Sequence, residues 1–225
     1  MMFRFSRAHT RPADVQATWA VCSRLLDYPT AELLEDLSQL EALVPGEENL
    51  AGLFDYFRSH SLQELQQQYV ATFDHTRRCA LYLTYFAYGD TRRRGVALVQ
   101  FKQAFRKAGV EFDESVDELP DHLCVVLQLG AAYDADTAWR LMLDHRAGIE
   151  MLRQALAAEH SPWLGALLAL CSTLPALRGE EADAVRKLIE QGPPDETVGL
   201  DPYTMPSVAP QSEFIGMPTP SGVSR

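Results

Sequence analysis

Apolar residues recur at a helical period along most of this chain, and helix breakers stand between the runs. Val15, Trp19, Cys22 and Leu26 share one face, and Pro29 follows where that helix must stop. Thr30 can cap a second helix, with the face Leu33, Leu37, Leu40 and Val44, which Pro45-Gly46 ends. Leu50, Leu53, Phe54 and Phe57 mark a third. Ser61-Leu-Gln-Glu64 has capping-box spacing, where the hydroxyl and the carboxylate each satisfy an orphan amide. The helix it opens carries Leu62, Leu65, Tyr69 and Phe73.

The second half continues the pattern. Residues 81–88, LYLTYFAY, have strand-like aromatic and β-branched content, but no partner strand stands elsewhere, so a helix is expected. Gly89-Asp90-Thr91 is a turn and a cap, and Leu98, Phe101, Phe105 and Ala108 then face one way until Gly109. Pro120 suits the first turn of a helix, because its missing amide hydrogen would have been orphaned there. Residues 123–132 are apolar on every face, which predicts a helix at the centre of a bundle. Ala138, Leu141, His145, Ile149, Leu152 and Leu156 predict one long amphipathic helix. Leu164, Leu167, Cys171 and Leu174 follow Pro162, and Ala182, Val185 and Ile189 mark a last short helix. The expected fold is all-α: one helical bundle of about eight to ten helices over residues 1–191. Residues 192–225 hold seven of the thirteen prolines and no apolar period, which predicts a disordered or extended tail.

Charge and chemistry narrow the function. A net charge of −11 argues against nucleic-acid binding, which needs a basic surface to neutralise phosphates. It favours neutral or basic partners. Cys22, Cys79, Cys124 and Cys171 lie far apart, with no CxxC spacing, and read as buried thiols in a reducing cytoplasm. The N-terminus lacks the apolar core of a signal peptide, and no apolar run approaches a membrane span, so a cytoplasmic protein is expected. There is no HExxH, GxSxG, P-loop or GxGxxG, and the six histidines share no metal-ligand spacing.

Three segments carry more than helix-forming pattern. Between Arg77 and Lys107 lie eight cations and one acid, Asp90, so this block carries +7 and the rest of the chain −18. Arg77, Arg78, Arg92, Arg93 and Arg94 read either as a solvated face or as a patch for an anion or an acidic partner, since guanidinium forks grip phosphate and carboxylate. Tyr69 and Phe73, one turn apart and followed by Asp74, read as core or as the lining of a groove for an amphipathic helix. Glu118-Leu-Pro120-Asp121-His122 reads as a loop entering a helix, with Asp121 placed to cap amides. Alternatively, Glu114, Asp117, Glu118 and Asp121 form an acidic rim for a basic peptide.

The run YVATFDHTRRCALYLTYFAYGDTRRRGVALVQFKQAFRKAG, followed by ELPDH, resembles the NarJ family within the TorD/DmsD group of redox-enzyme maturation chaperones. The likeness covers about residues 66–133, and its most specific step is GDTRRRG. It implies a TorD-like helical fold and no enzymatic activity. It implies a client: the N-terminal segment of the catalytic α subunit of respiratory nitrate reductase. The apoenzyme would be held competent for insertion of the bis-molybdopterin guanine dinucleotide cofactor, and membrane docking delayed until then. Any membrane contact would be indirect, through the client. Tyr69, Phe73, Glu118, Pro120, Asp121 and His122 fall on the wider group's motifs, and with Asp74 they are the expected peptide-binding residues. Arg77, Arg78 and Arg92 to Arg94 fall on the NarJ-specific motifs, as anion or partner contacts. No permanently bound cofactor or metal is implied. The alternative function is a direct carrier, with the Arg block holding the phosphates of the molybdenum cofactor in transient contact. Either a monomer or a dimer is compatible with the pattern, with residues 109–118 as a candidate hinge.

Overall fold

A computed structural model describes residues 15–89, 91–111 and 118–191. Among them are eleven α-helices: α1 (Gln16–Leu25), α2 (Ala31–Leu43), α3 (Glu48–Ser59), α4 (Leu62–Tyr69), α5 (Tyr85–Tyr88), α6 (Arg92–Lys107), α7 (Leu123–Ala132), α8 (Ala135–Asp144), α9 (Arg146–Ala158), α10 (Leu164–Thr173) and α11 (Glu180–Gln191). The expected tail, residues 192–225, lies outside the described residues, as do Glu114, Asp117 and most of the candidate hinge.

The local signals explain most boundaries. The Thr30 hydroxyl accepts from the Leu33 amide and starts α2. Ser61 and Glu64 form the capping box of α4 in both directions. Asp134 accepts from the amides of Asp136 and Thr137 and starts α8, a cap that typically contributes about 1 kcal/mol.

The centre is built by α1, which packs on α7, α10 and α2. Trp19 is fully buried, and its indole Nε1 donates to Thr173 Oγ1 at 2.9 Å. That bond ties the first helix to the tenth. Gly130 on α7 lies under the same ring: a Cβ there would stand 2.5 Å from Trp19 Cε3. At Gly165 a Cβ would stand 2.3 Å from the Asn49 carbonyl, so α10 and α3 meet at backbone distance. Cys22, Cys79 and Cys124 are buried free thiols, and burial raises each pKa, Cys79 to about 11.

Pro120 lies in the turn before α7 and not in its first helical turn, since His122 is the N-cap. Two expected helices also fail to form as single elements. Residues 81–88 do not form one helix. Tyr82 pairs with His122 in an isolated antiparallel bridge, Leu83 donates its amide to the Asp121 carbonyl, and Leu123 donates to Leu81. The buried backbone finds its partner in the 121–123 segment, and only Tyr85–Tyr88 turns helical. The long helix expected from Ala138 to Leu156 is two helices, broken at His145 (φ −111°, ψ 21°). There the imidazole Nδ1 lies 2.9 Å from the Leu141 carbonyl, and α9 turns to pack on the 81–86 region. Gly148 permits that approach, with the Leu83 carbonyl 3.2 Å from where a Cβ would sit.

Candidate functional site: an aromatic floor beside a buried polar clasp

α4 does not end cleanly. It runs into a π-helical turn, Val70–Asp74, in which the His75 amide bonds back to the Val70 carbonyl. This wider turn keeps Phe73 under Tyr69, with ring centroids 4.7 Å apart. Both rings meet the face of Trp163 edge-on, at 5.8 and 5.5 Å. Trp163 is fully buried, and its Nε1 donates to the Leu25 carbonyl. The Tyr69 hydroxyl donates to the Leu26 carbonyl at 3.2 Å. The aromatic pair is therefore a floor pinned to the C-terminal end of α1. Tyr69 and Phe73 are each 7% exposed.

Over one edge of this floor lies an open groove of about 410 Å³. Tyr28, Gln63, Gln66, Gln67, Val70, Ala71 and His75 line it. Tyr28 meets Tyr69 edge-on at 5.5 Å and is 44% exposed, so its ring forms a wall open to solvent. Gln66 anchors that wall by donating to the Pro29 carbonyl. Burial raises the Tyr69 pKa. Asp27 and Asp74 adjoin the groove residues Tyr28 and His75 in the chain and bring negative charge to its edge.

The Glu118–His122 segment does something different. Asp121 is 0% exposed. Its Oδ2 accepts from the Thr84 hydroxyl at 2.5 Å and the Thr84 amide at 3.2 Å. Arg94 Nη2 lies 3.9 Å from the same oxygen, and Arg94 Nε donates to Thr84 Oγ1. The Arg94 guanidinium also sits over the Tyr82 and Tyr85 rings, at 5.2 and 5.9 Å. Asp121, expected on an acidic rim, is thus the inward end of a clasp joining α6, the 81–84 segment and the start of α7. Pro120 is buried beside it. His122 is 5% exposed, packs on Tyr82 at 5.3 Å and lies 3.9 Å from Glu118. Burial lowers its pKa, against the opposing pull of Glu118. Tyr82 is pushed up to about 12 by burial and by Glu118. Of the described acids expected to meet a peptide, Glu118 and Asp74 reach the surface.

The expected basic block is also divided. Arg77 and Arg78 are exposed on a short 3₁₀ turn, Arg77–Cys79. Arg92 and Arg93 are exposed in the first turn of α6, whereas the Arg94 side chain is 14% exposed and turned to Asp121. Sequence pattern did not single out Tyr28, Thr84, Trp163 or the glutamines of the groove. The one available signal was Asp27-Tyr28-Pro29, an aromatic held at a forced helix end. Among the described residues no group of three or more His, Cys, Asp or Glu could hold a metal ion, and no helix is long and apolar enough to cross a membrane.

Comparison with known proteins matches residues 24–169 to the model of the nitrate reductase delta subunit family. The chain belongs to that family. A Bacillus subtilis relative named as a nitrate reductase molybdenum cofactor assembly chaperone, NarJ, is 30% identical over 167 residues, covering 72% of this chain and 90% of that protein. The nitrate reductase-like protein NarX of Mycobacterium tuberculosis is 34% identical over 157 residues; the match covers 69% of this chain and only 24% of NarX. The crystal structure of an Archaeoglobus fulgidus protein, described as a redox enzyme maturation protein, superposes with a TM-score of 0.54 at 18% identity, covering 82% of this chain and 99% of that one. That likeness shows the shared helical fold. The family and the all-α architecture expected from the sequence both hold.

Proposed function

We infer that this chain is an assembly chaperone for a molybdenum-dependent nitrate reductase. Its client is the N-terminal segment of the apo catalytic α subunit, held competent for molybdenum cofactor insertion before membrane docking. The protein works by binding, not by catalysis. The observation that carries this reading is the open groove beside Tyr69 on a chain of this family. Its wall is apolar (Tyr28, Val70, Ala71), its amides (Gln63, Gln67) can meet a peptide main chain, and its edge is acidic. A basic amphipathic helix would bury its apolar face there, at roughly 25 cal/mol per Å² of apolar area. Tyr28 supplies the solvent-open aromatic contact, and Asp74 and Glu118 supply charge.

Direct carriage of the cofactor by the Arg block has less support, because Arg94 is committed to Asp121 and Arg77–Arg78 stand on a different element. The two readings separate in a maturation assay. Client enzyme is purified from cells that lack this chain, or that carry it as wild type, Tyr28→Ala or Arg92→Ala/Arg93→Ala. Molybdenum content of the client should be restored by wild type and by the arginine variant, and not by Tyr28→Ala. Full restoration by Tyr28→Ala with failure of the arginine variant would favour the carrier.

A further inference from the structure

We propose that the outward face of α6 docks an acidic amphipathic helix of a partner protein, at a surface separate from the groove. α6 contains six cations and no carboxylate, so it carries +6 while the rest of the chain, at a total of −11, carries −17. Arg94 turns inward to Asp121, and Lys102 is half-buried. Arg92, Arg93, Arg106 and Lys107 are exposed, and none has an ion-pair partner among the described residues. In so acidic a chain, four exposed cations on one helix, without an ion-pair partner among the described residues, offer a surface to negative charge. The helix dipole accounts for Arg106 and Lys107 in the last turn, but not for Arg92 and Arg93, which stand in the first turn, where it disfavours cations.

The same face is apolar between the charges. Val96 is 64% exposed and Val99 is 52% exposed, two of the five large apolar side chains most open to solvent. They lie three apart on α6, on one ridge. Gly95 adjoins them, with nothing within 4 Å of where a Cβ would sit. A glycine inside a helix costs about 0.5–1 kcal/mol relative to alanine, and no contact in this fold uses its small size. A second helix laid along the Val96–Val99 ridge would use it, because backbone can approach closely there. The arginines and lysine at the two ends of α6 would then meet carboxylates flanking the partner's apolar stripe. A protein partner fits better than an anionic bilayer. α8 packs on α6 and carries exposed Asp136 and Asp144, and the rest of the chain is strongly negative, so a flat anionic surface would be repelled on approach.

The test titrates the full chain with two labelled helical peptides sharing one leucine stripe, flanked in one by glutamates and in the other by lysines. The glutamate peptide should bind, and lose about tenfold in affinity between roughly 50 and 500 mM salt. Val99→Glu/Arg106→Glu should weaken it at least about tenfold at low salt, with the circular-dichroism spectrum unchanged, since both side chains point outward. Tyr28→Ala should leave it unchanged, which keeps this surface distinct from the client groove. Equal binding of the glutamate peptide to wild type and to the double variant would overturn the proposal. So would α6-dependent co-sedimentation with phosphatidylglycerol vesicles without peptide binding, or α6-dependent self-association of the wild type that excludes the peptide.

Discussion

The aromatic floor and the polar clasp are both built from residues of the NarJ-like motifs, yet they present opposite faces to solvent. Tyr69 and Phe73 close an apolar floor whose neighbour Tyr28 is open to water. Asp121 and Arg94 close on Thr84, and the Asp121 carboxylate has no exposure at all. The difference teaches that a motif marks a place and not a role. A carboxylate sealed against a hydroxyl and a guanidinium holds segments together. A half-open aromatic wall beside glutamines can receive a ligand.

The largest effect that would sharpen this contrast is on stability. Asp121→Ala removes the buried acceptor shared by Thr84 and Arg94 and opens the clasp. A loss of about 3 kcal/mol is expected in urea unfolding. Peptide affinity of the fraction that stays folded should be nearly unchanged. Wild-type stability in this variant would mean that the clasp does not hold the fold.

Tyr28→Ala should invert that pattern. The ring is 44% exposed, so unfolding should move by no more than about 0.5 kcal/mol. Client-peptide affinity should fall by about 2 kcal/mol, the size of an aromatic anchor at the centre of a contact. An intermediate case is Tyr69→Phe, which keeps the ring and removes the hydroxyl bonded to Leu26. About 1 kcal/mol of stability should be lost, with little change in binding.

The smallest effect is on pH dependence. His122 is buried and His145 half-buried, and burial lowers both pKa values. A lowered histidine pKa means that the unfolded chain takes up protons first. The stabilisation these residues give is therefore complete above about pH 6.5 and is lost as pH falls below it. Asp134 and Glu64, whose pKa values are also lowered, act only in the carboxylate range below about 4.5. Thermal melts between pH 7 and 5.5 should show declining stability, and His122→Gln/His145→Gln should flatten that decline. An unchanged slope would place the decline on other groups.

How much of this was legible follows from the range of the interactions. Helix starts at Thr30, Ser61 and Asp134 rest on bonds spanning two or three residues, so the caps of α2 and α4 could be read directly from the sequence. The all-apolar stretch of α7 correctly pointed to the centre, because no face of it could be left in water. The clasp was hidden. Thr84 and Asp121 are 37 residues apart, and nothing local says that one will complete the other. The bridge of Tyr82 to His122 is equally non-local, so local pattern alone points to a helix over residues 81–88, which holds only at Tyr85–Tyr88. His145 breaks a perfectly periodic helix because tertiary packing at Gly148 prevails over propensity. In the candidate site, Tyr69 and Phe73 were marked by their spacing. Trp163, 90 residues beyond Phe73, joins them only in the folded chain.

The most direct test is calorimetric titration of the full chain with a peptide of the first few dozen residues of the nitrate reductase catalytic subunit. Wild type should bind at micromolar strength or tighter, with a negative heat-capacity change that reports apolar burial, and Tyr28→Ala should lose at least about tenfold. Absence of binding by a demonstrably folded wild type, or equal binding by Tyr28→Ala, would contradict the groove as the client site.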